Sequence, residues 1–431
     1  MMATLLTGGT VVELDPAQIG ARDLVMIGDR IGDPTARIST TSAIDCSRCL
    51  IIPGLVVAHT HLYSALARGM PPPPGPTPTF RAILEQIWWR LDRAIDARVL
   101  LASAKVGALE AARAGVTTLI DHHESPSFID GSLDVVARGV TEIGLRSVLT
   151  YGATDRHGAG AAKAGLAESE RFAKKTAADP LVRGMIGLHA PFTCSDDTLD
   201  AAGALARSTG AGLHLHAAEG PDDQAAARAR WNKPLFSALD ERGLITPRTV
   251  LAHAVDLGVE EAALLAARRP WITHQARSNM NNGVGYAGRL LELERVALGT
   301  DGIDNDALAE LRAAFFRARE HTGPAVFRDP VTALARGHRL AAELFGAPDL
   351  GRLVPGAPAD VVVLAYDPPS PLDPGNLAGH LLFGGLTSLT VRDVFVGGRA
   401  VIRERRPVGL DAAALAVEAR QEAAALFARL P

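Results

Sequence analysis

Cysteine, aromatic side chains and long apolar runs are all scarce in this sequence. Three cysteines in 431 residues are too few for a disulfide framework, and such scarcity fits a cytoplasmic protein. No apolar stretch approaches the ~20 residues that a membrane-spanning helix needs. The first residues, MMATLLTGGTVVELD, lack the basic segment of a secretion signal. The sequence therefore predicts a soluble protein of the cytoplasm.

Negative charge exceeds positive charge only slightly in this sequence. The formal net charge is −4, and no basic stripe is present. Neither nucleic acid nor a membrane is therefore expected as a partner.

Two of the cysteines, Cys46 and Cys49, form a single C-x-x-C motif in DCSRCLIIPG. A zinc or redox site would use such a motif, but a redox motif normally leads from a strand into a helix. Here the motif leads into a further apolar strand. We interpret both cysteines as residues that flank a strand.

Two β-rich ends enclose a longer region of alternating strands and helices. Residues 1–53 and 352–405 contain short strand-like runs separated by glycine-containing turns. Between them, apolar runs alternate with alanine-rich amphipathic helices, the pattern of β/α units. The eight apolar runs are 55–58, 116–120, 146–151, 182–188, 212–216, 249–252, 271–273 and 296–299.

Eight β/α units predict an α/β fold with a closed (β/α)₈ TIM-like barrel over residues 54–351. Residues 1–53 and 352–405 are predicted to form a small β-sandwich domain built from both chain ends, and residues 406–431 a C-terminal helix. The proline-rich stretch MPPPPGPTPTF (70–80) follows the first strand. It is either a rigid connector or a wall over the carboxyl-terminal mouth of the barrel.

Residues that can bind a metal follow several predicted strands. His59 and His61 end the first strand, His216 ends the fifth, and Asp301 follows the eighth. Because the carboxyl ends of barrel strands meet at one mouth, we expect these four side chains to meet there. Three imidazoles and a carboxylate suit one divalent ion, with Zn²⁺ favoured and Fe²⁺ as the alternative. Such an ion lowers the pKa of bound water to about 7 and produces hydroxide at neutral pH.

Three residues are predicted to act in catalysis: Glu219, His253 and the predicted metal ligand Asp301. Glu219 lies three residues beyond His216 and could transfer a proton without binding the metal. His253 follows the sixth strand and could hold the attacking water or the leaving group. Asp301 would accept a proton from that water. We expect His214 to point away from His216 and to be structural.

The motifs HTH (59–61), HAAE (216–219) and TDG (300–302) resemble the amidohydrolase superfamily, in particular its mononuclear deaminase and chlorohydrolase branch. Longer segments resemble the SsnA-type aminohydrolases over nearly the whole chain, including ILEQIWWRLDRAID, LIDHHESPSFIDGSLD and RSNMNNGVG. The resemblance implies a barrel with a flanking β-sandwich and an orienting role for the strand-six His253. It also implies one metal held by His59, His61, His216 and Asp301, with proton transfer by Glu219.

Two positions depart from the SsnA-like pattern. That pattern has an acidic residue after the tyrosine of strand three, where this chain has Gly152, and Asn-Pro before x-S-N, where this chain has Gln275-Ala276. Neither position belongs to the predicted metal ligands. Both are expected to reshape the substrate pocket and so to affect substrate specificity.

Other polar residues near the strand ends are assigned to the pocket. His189, Ser278 and Asn279 are predicted to contact substrate. His122 and His123 are expected in the pocket wall or behind the metal ligands, and the role of His274 is left open.

The leading hypothesis is a metal-dependent hydrolytic deaminase of an amino-substituted nitrogen heterocycle, releasing ammonia via a metal-bound hydroxide. The substrate would be a purine-, pterin- or pyrimidine-like small molecule. One alternative keeps the site but cleaves a triazine C–Cl bond, or an amide, ureido or cyclic amidine C–N bond. A second alternative is a non-catalytic scaffold barrel. A homodimer is expected from the resemblance alone.

Overall fold

The computed structural model describes residues 3–33, 41–323, 329–384 and 389–431. The strands, in chain order, are β1 (Ala3–Thr7), β2 (Thr10–Leu14), β3 (Ala17–Ala21), β4 (Leu24–Ile27), β5 (Arg30–Ile31), β6 (Thr41–Asp45), β7 (Cys49–Pro53), β8 (Leu55–Thr60), β9 (Val116–His123), β10 (Arg146–Tyr151), β11 (Val182–Gly184), β12 (Ile186–Leu188), β13 (Leu213–Ala217), β14 (Thr249–His253), β15 (Trp271–His274), β16 (Val296–Leu298), β17 (Val361–Ala365), β18 (Thr390–Val396), β19 (Arg399–Arg403) and β20 (Arg406–Pro407).

The α-helices, in chain order, are α1 (Phe80–Ile83), α2 (Trp89–Ala94), α3 (Ala97–Arg113), α4 (Ser132–Ile143), α5 (Ala159–Lys175), α6 (Asp196–Thr209), α7 (Pro221–Trp231), α8 (Leu235–Glu241), α9 (Val259–Arg268), α10 (Ala276–Asn281), α11 (Ala307–Thr322), α12 (Pro330–Phe345), α13 (Leu377–Phe383) and α14 (Ala412–Ala428). A π-helical turn, Leu84–Trp88, joins α1 to α2. Short 3₁₀ turns span Leu62–Ala67, Asp155–His157, Pro191–Thr193 and Gly288–Glu292. Within the described ranges, no helix has both the length and the apolar surface to cross a lipid bilayer.

Parallel strands form the centre of the molecule. They lie in two sheets, with the orders β11-β10-β9-β8 and β12-β13-β14-β15-β16. β11 and β12 are two halves of the predicted fourth strand, which is interrupted at Met185. The N–H of Met185 bonds to the Leu149 carbonyl at 3.0 Å, and the N–H of Ile186 bonds to the Gly212 carbonyl at 3.1 Å. One broken strand thus joins the two sheets.

The ring is completed where the eighth strand meets the first. The N–H groups of Thr300 and Asp301 both donate to the His59 carbonyl, at 2.8 and 3.1 Å. This contact, together with the broken strand that joins the two parallel sheets, confirms the predicted barrel. Because helices cover the outside and side chains fill the inside, the central strands are buried on both faces.

Local sequence signals fix where the outer helices begin and end. The Asp96 carboxylate accepts the N–H groups of Arg98 and Val99 and so caps α3. Gly144, with a φ of +100°, ends α4 in the left-handed conformation that glycine adopts readily. The apolar faces of these two helices are buried in the main core, which includes Val99, Leu109 and Val136.

Both ends of the chain build two further sheets. The larger has the order β20-β19-β18-β17-β7-β2-β3 and the smaller β5-β4-β1-β6. In the larger sheet, β17 from the C-terminal part runs antiparallel to β7, with Val362 opposite Ile52. A separate core containing Leu6, Met26 and Phe395 draws on residues of both sheets. The predicted β-sandwich from both chain ends is therefore present, whereas the domain boundaries themselves stay predictions.

The C-terminal segment contains strand and helix. β20 occupies Arg406–Pro407 in the larger sheet, and α14 follows at Ala412–Ala428. Glu422 of α14 accepts hydrogen bonds from the Arg98 guanidinium at 2.6 and 3.0 Å. This ion pair and the buried Leu426 attach α14 to α3 and the barrel.

Cys46 and Cys49 are free thiols in the core of the β-sandwich. The Arg392 guanidinium lies 3.3 Å from the Cys46 sulfur and 3.5 Å from the Cys49 sulfur. Burial raises the pKa of Cys46 to about 11, so this thiol is protonated at neutral pH. Among the described residues, neither cysteine belongs to a group of side chains that could hold a metal.

Candidate active site

The four predicted metal ligands meet at the carboxyl-terminal mouth of the barrel. His59 lies on β8, His61 directly follows it, His216 lies on β13, and Asp301 follows β16. The Nε2 atom of His61 is 3.2 Å from Nε2 of His216 and 2.9 Å from Oδ1 of Asp301. The Nε2 atom of His59 is 3.9 Å from the same carboxylate oxygen. All four side chains are buried.

The hydrogen bonds behind these imidazoles fit a metal site. Nδ1 of His61 donates to the His122 carbonyl at 2.6 Å, and Nδ1 of His216 donates to the His189 carbonyl at 2.8 Å. In its neutral form, each ring therefore has an Nε2 lone pair that faces the centre of the group. Nε2 of His59 is also buried there and has no hydrogen-bond partner among the described residues. Ligand atoms of His59, His61 and His216 lie within 4.8 Å of one another, so the group can hold a divalent cation.

His214 does not point away from this group, and that expectation was wrong. Residues two apart on a strand share a face, so His214 and His216 both point into the barrel. Nε2 of His214 lies 3.0 Å from Nδ1 of His59. Burial, together with the neighbouring imidazoles, lowers the pKa of His214 to about 3, so its ring is neutral at pH 7. His214 therefore stands directly behind a predicted metal ligand.

Asp301 is held by its neighbours in an ionised form. Burial raises the pKa of Asp301, but its polar neighbours outweigh burial and hold the pKa below its ordinary range. These neighbours are His61, His253 and the Ser278 hydroxyl. The Ser278 hydroxyl donates to Oδ2 of Asp301. Conversely, burial lowers the pKa of His61, but the Asp301 carboxylate outweighs burial and raises that pKa to about 9.

Glu219 and His253 adjoin the metal-binding group on one side. Oε2 of Glu219 lies 3.4 Å from Nε2 of His253, and the Asn282 amide donates to Oε1 of Glu219 at 3.3 Å. Burial raises the pKa of Glu219 to about 7. A carboxyl group with that pKa can both give and take a proton at neutral pH.

The predicted substrate contacts lie at two different places. His189 lines the pocket, with its Nδ1 2.9 Å from the Thr193 hydroxyl. Ser278 and Asn279, in α10, are buried and contact site residues instead. Ser278 bonds to Asp301, and Oδ1 of Asn279 lies 2.9 Å from Nδ1 of His253. The role of all three in substrate binding stays a prediction.

A pocket of about 610 Å³ opens above the metal-binding group. Its walls are formed by His61, Tyr63, Phe80, Leu84, Trp88, Trp89, Asp92, Glu124, His189, Ala190, Phe192, His216, Glu219, Gly220, Asp222, Asp223, Asn282 and Asp301. Of the described residues 70–80, only Phe80 belongs to this lining. The proline-rich stretch thus precedes the pocket wall in the chain. The residues of the wall in this part of the chain come from α1, α2 and the π-helical turn between them.

One buried charge cluster in this region escaped the sequence analysis. The Arg156 guanidinium pairs with Glu124 and lies 3.3 Å from the Asp92 carboxylate. It also stacks on Trp89, 4.6 Å from the ring centre. The acid in HHESP, directly after the second strand, was the available signal for Glu124, but Arg156 lies in a short loop helix whose position the sequence does not reveal.

The same cluster explains the glycine at position 152. A Cβ atom there would lie 2.4 Å from Cε1 of His122 and 3.0 Å from Oε1 of Glu124. Glu124 and His122 therefore occupy the space that any side chain at this position would need. The effect of Gly152 on specificity stays a prediction.

The remaining polar residues lie behind or beside the pocket. Nε2 of His122 is 2.9 Å from the Leu188 carbonyl, and Nε2 of His123 is 2.7 Å from the Ser125 hydroxyl. Gln275 is buried, with its amide nitrogen 2.5 Å from the Thr273 hydroxyl. His274 borders a different, largely apolar cavity beside α11 and α12. The effect of Gln275-Ala276 on specificity stays a prediction.

Sequence comparisons relate this chain to enzymes of one family. A family model for the amidohydrolase family matches residues 50–401. The 5′-deoxyadenosine deaminase of Methanothermobacter thermautotrophicus is 31% identical over 416 residues, covering 93% of each chain. A 5-methylthioadenosine/S-adenosylhomocysteine deaminase of Pelotomaculum thermopropionicum is 28% identical over an alignment of 447 residues, covering 100% of each.

Solved structures share the fold. A zinc-bound adenosine deaminase from Xanthomonas campestris has a TM-score of 0.85 at 24% identity, covering 99% of this chain and 98% of the other. Atrazine chlorohydrolase from Arthrobacter aurescens TC1, complexed with zinc, has a TM-score of 0.79 at 22% identity, covering 97% of this chain and 100% of the other.

Proposed function

The chain belongs to the amidohydrolase family, and we propose that it is a metal-dependent hydrolytic deaminase that releases ammonia from an amino-substituted nitrogen heterocycle. The convergence of four imidazoles and two carboxylates at one barrel mouth carries this proposal. The relatives named as deaminases of adenosine-type compounds support an aminopurine nucleoside as the first substrate to test.

One divalent cation would be held by His59, His61, His216 and Asp301, and we propose Zn²⁺, with Fe²⁺ as the alternative. When bound, such an ion lowers the pKa of water to about 7 and so supplies a nucleophile at neutral pH. The neutral state of His59 and His216 supports this assignment, whereas His61, whose pKa the Asp301 carboxylate raises to about 9, would release its Nε2 proton when the ion binds. Burial lowers the pKa of both His59 and His216 well below the ordinary value.

Proton transfer would be divided between two carboxylates. Asp301 takes a proton from the attacking water. Glu219 gives its proton to the ring nitrogen next to the attacked carbon, then takes up the proton of the newly added hydroxyl group and passes it to the departing amine. The proton held by Asp301 finally returns to Glu219. A pKa of about 7 suits Glu219 to both steps. The groups that this mechanism uses therefore return to their starting protonation states when ammonia leaves.

His253 would hold the attacking water between the carboxylates. Its Nε2 atom lies 3.4 Å from Glu219 and 3.9 Å from Asp301. Because Nδ1 faces the Asn279 side-chain oxygen at 2.9 Å, Nδ1 carries the proton and Nε2 accepts. In this tautomer His253 accepts a hydrogen bond from water and directs its oxygen towards the substrate.

The experiment is a screen of zinc-loaded protein for ammonia release from adenosine, 5′-deoxyadenosine, 5-methylthioadenosine, aminopterins and aminotriazines. At least one aminopurine nucleoside should be turned over. Glu219→Gln should lower kcat by about 10²- to 10⁴-fold on that substrate while metal content and fold are kept. No ammonia from any compound, or full turnover by Glu219→Gln, would refute the proposal.

The alternatives give different products in the same assays. Chloride release from a chlorotriazine without deamination of any amine would assign the site to C–Cl cleavage, and a ring-opened product to amide or amidine hydrolysis. Failure to take up stoichiometric zinc or iron would favour the scaffold.

The assembly and location are also proposals. The free, buried thiols support a cytoplasmic location. A homodimer could cover the exposed rings of Phe316 and Phe383, whose centres lie 6.2 Å apart, and sedimentation would test it.

A further inference from the structure

The charged side chains that line the pocket beyond the imidazoles share one sign. The carboxylates are Asp92, Glu124, Glu219, Asp222, Asp223 and Asp301. No lysine or arginine stands among the described residues of this lining. Two of the six, Asp301 and Glu219, belong to the proposed chemistry. The other four form an acidic wall (Asp92, Glu124, Asp222 and Asp223). Burial raises the pKa of Glu124, and it raises that of Asp223 to about 7, so the negative charge of the wall lies mainly on Asp92 and Asp222.

Arg156, which lies behind this wall, is fully engaged. Its Nη1 and Nη2 atoms both lie 3.3 Å from Oδ2 of Asp92, and Nη2 also pairs with Glu124. Its Nε atom donates to the Thr154 hydroxyl at 3.3 Å, and only 9% of the side chain is exposed. One guanidinium between two carboxyl groups gives no net positive charge, whether or not these acids share a proton. Each of the three guanidinium nitrogens of Arg156 therefore already donates to a protein oxygen.

The N-terminus of α7 is closed to anions as well. Its N-cap residue, Gly220, lines the pocket, and an open helix N-terminus of this kind attracts phosphate. Here the Asp223 carboxylate turns back to accept the N–H groups of Ala218 at 2.8 Å and Phe192 at 3.1 Å. Asp222 stands in the first helical turn and also lines the pocket. Two acids thus occupy the place that a substrate anion would take.

From these three observations we propose that the pocket selects uncharged or cationic heterocycles whose substituents donate hydrogen bonds, and rejects substrates that carry phosphate or carboxylate. Phe80, Trp88 and Phe192 supply apolar ring faces for a planar substrate. Amino and hydroxyl groups on the far side of the ring meet acceptors at Asp92 and Glu124. This inference rests on the proposed function and names the substrate class of the same site: free bases and nucleosides, not nucleotides.

Matched pairs of compounds test this charge rule on the zinc-loaded protein. The pairs are adenosine with adenosine 5′-monophosphate, and pterin with pterin-6-carboxylate. The neutral member should have a kcat/KM about 100-fold or more above that of the anionic member, because like charges brought together in a closed site are strongly unfavourable. Equal kcat/KM values within a pair that is turned over would overturn the inference and leave the deaminase proposal intact.

A charge reversal at the pocket mouth gives a second test. Asp222 is partly exposed, so Asp222→Lys can be accommodated without repacking the core. It should shift the kcat/KM ratio within each pair about tenfold towards the anionic member. Asp197→Lys is the matched control, because Asp197 stands in the first turn of α6, is exposed, and lies outside the pocket lining. Equal shifts for both variants, or none for folded Asp222→Lys, would refute a local role of the acidic wall.

Calorimetry of the same pairs separates the two proposals. If no compound releases ammonia, the deaminase proposal fails, and binding alone then decides the charge rule. Tighter binding of the neutral members supports it. Anionic members that bind as tightly as their partners, or an absence of binding by either member, overturn it.

Discussion

We predict that His214 orients His59 for binding of the proposed metal, and that replacing His214 weakens the metal site without unfolding the protein. The far nitrogens of His61 and His216 are fixed by backbone carbonyls, which only accept hydrogen bonds. His59 differs, because its Nδ1 atom faces the Nε2 atom of His214 at 3.0 Å. His59 presents a free Nε2 lone pair only when His214 acts as the acceptor, with its own proton on Nδ1.

The expected magnitude follows from this arrangement. Loss of a partner that orients a metal-binding imidazole typically lowers metal affinity by about 10- to 100-fold, or about 1.4 to 2.7 kcal/mol. Folding stability should change less. Nδ1 of His214 is buried without a hydrogen-bond partner among the described residues, so His214→Leu also removes an unsatisfied donor. We expect His214→Leu to bind zinc about 10- to 100-fold more weakly while its free energy of unfolding, measured without metal, changes by about 1 kcal/mol or less.

His214→Gln is the matched variant, because its side-chain oxygen can reach the place of Nε2 and can only accept. It should recover most of the lost zinc affinity. The assay is competition for zinc against a chromophoric chelator, with urea denaturation of the metal-free protein in parallel. Zinc affinity of folded His214→Leu within twofold of wild type would refute the orienting role. Equal losses in the Leu and Gln variants would refute the hydrogen bond as its cause.

Three further predictions concern stability and are measured by urea denaturation. Gly152→Ala should lower the free energy of unfolding by about 1–3 kcal/mol through overpacking against His122. Gly160→Ala is the control and should not destabilise the protein, because a Cβ atom there meets nothing within 4 Å. Equal effects of the two substitutions would contradict the claim that His122 and Glu124 occupy the space beside Gly152. Arg277→Leu should lower the free energy of unfolding by about 3–5 kcal/mol, because it leaves the fully buried Glu310 unpaired. Arg289→Leu, which removes the exposed Arg289–Glu292 pair, should lower it by about 1 kcal/mol or less. A small loss of stability in Arg277→Leu would be inconsistent with a charged Glu310. Burial lowers the pKa of His338 to about 4, so the folded state resists a proton that the unfolded chain takes up below about pH 6.5. Stability due to His338 is therefore present above that pH and lost as the pH falls towards 4. His338→Asn should reduce the slope of the free energy of unfolding against pH in this range by up to about 1.4 kcal/mol per pH unit. An unchanged slope would show that His338 does not titrate this way.

The convergence of the four proposed metal ligands was predictable because the ends of the strands are predictable. An apolar run followed by a polar residue marks where a buried strand leaves the barrel, and parallel strands all leave at the same mouth. His59 and Asp301 are 242 positions apart in sequence numbering, yet the His59 carbonyl accepts hydrogen bonds from the Thr300 and Asp301 backbone. Barrel closure makes the first and last strands neighbours, and nothing in the local sequence of either strand is needed for that.

The pocket wall was less predictable because loops supply it. Arg156 lies in a 3₁₀ turn and Trp89 begins a helix after a π-helical turn, and no periodic pattern locates such segments relative to the strands. The resemblance to relatives identified Gly152 as a departure, but only the structure shows that Glu124 fills the same space. The inward direction of His214 is a different case, because it follows from strand geometry alone: residues two apart on a strand point to the same face.

Backbone conformation supports the same site independently of side-chain contacts. Of the nine described non-glycine residues with positive φ, five lie at turns or helix ends: Arg48, Asn232, Arg269, Glu404 and Arg405. The other four are Ala218, His253, Ala254 and Asp301, which follow or end the strands at the barrel mouth. Each such conformation costs about 1–3 kcal/mol and persists only where the surrounding structure enforces it. At His253 and Asp301, with φ of 79° and 57°, the strained backbone turns each side chain towards the common centre instead of continuing the strand. A scaffold with no need for that centre would have no reason to keep this strain, so the backbone favours a catalytic over a non-catalytic barrel.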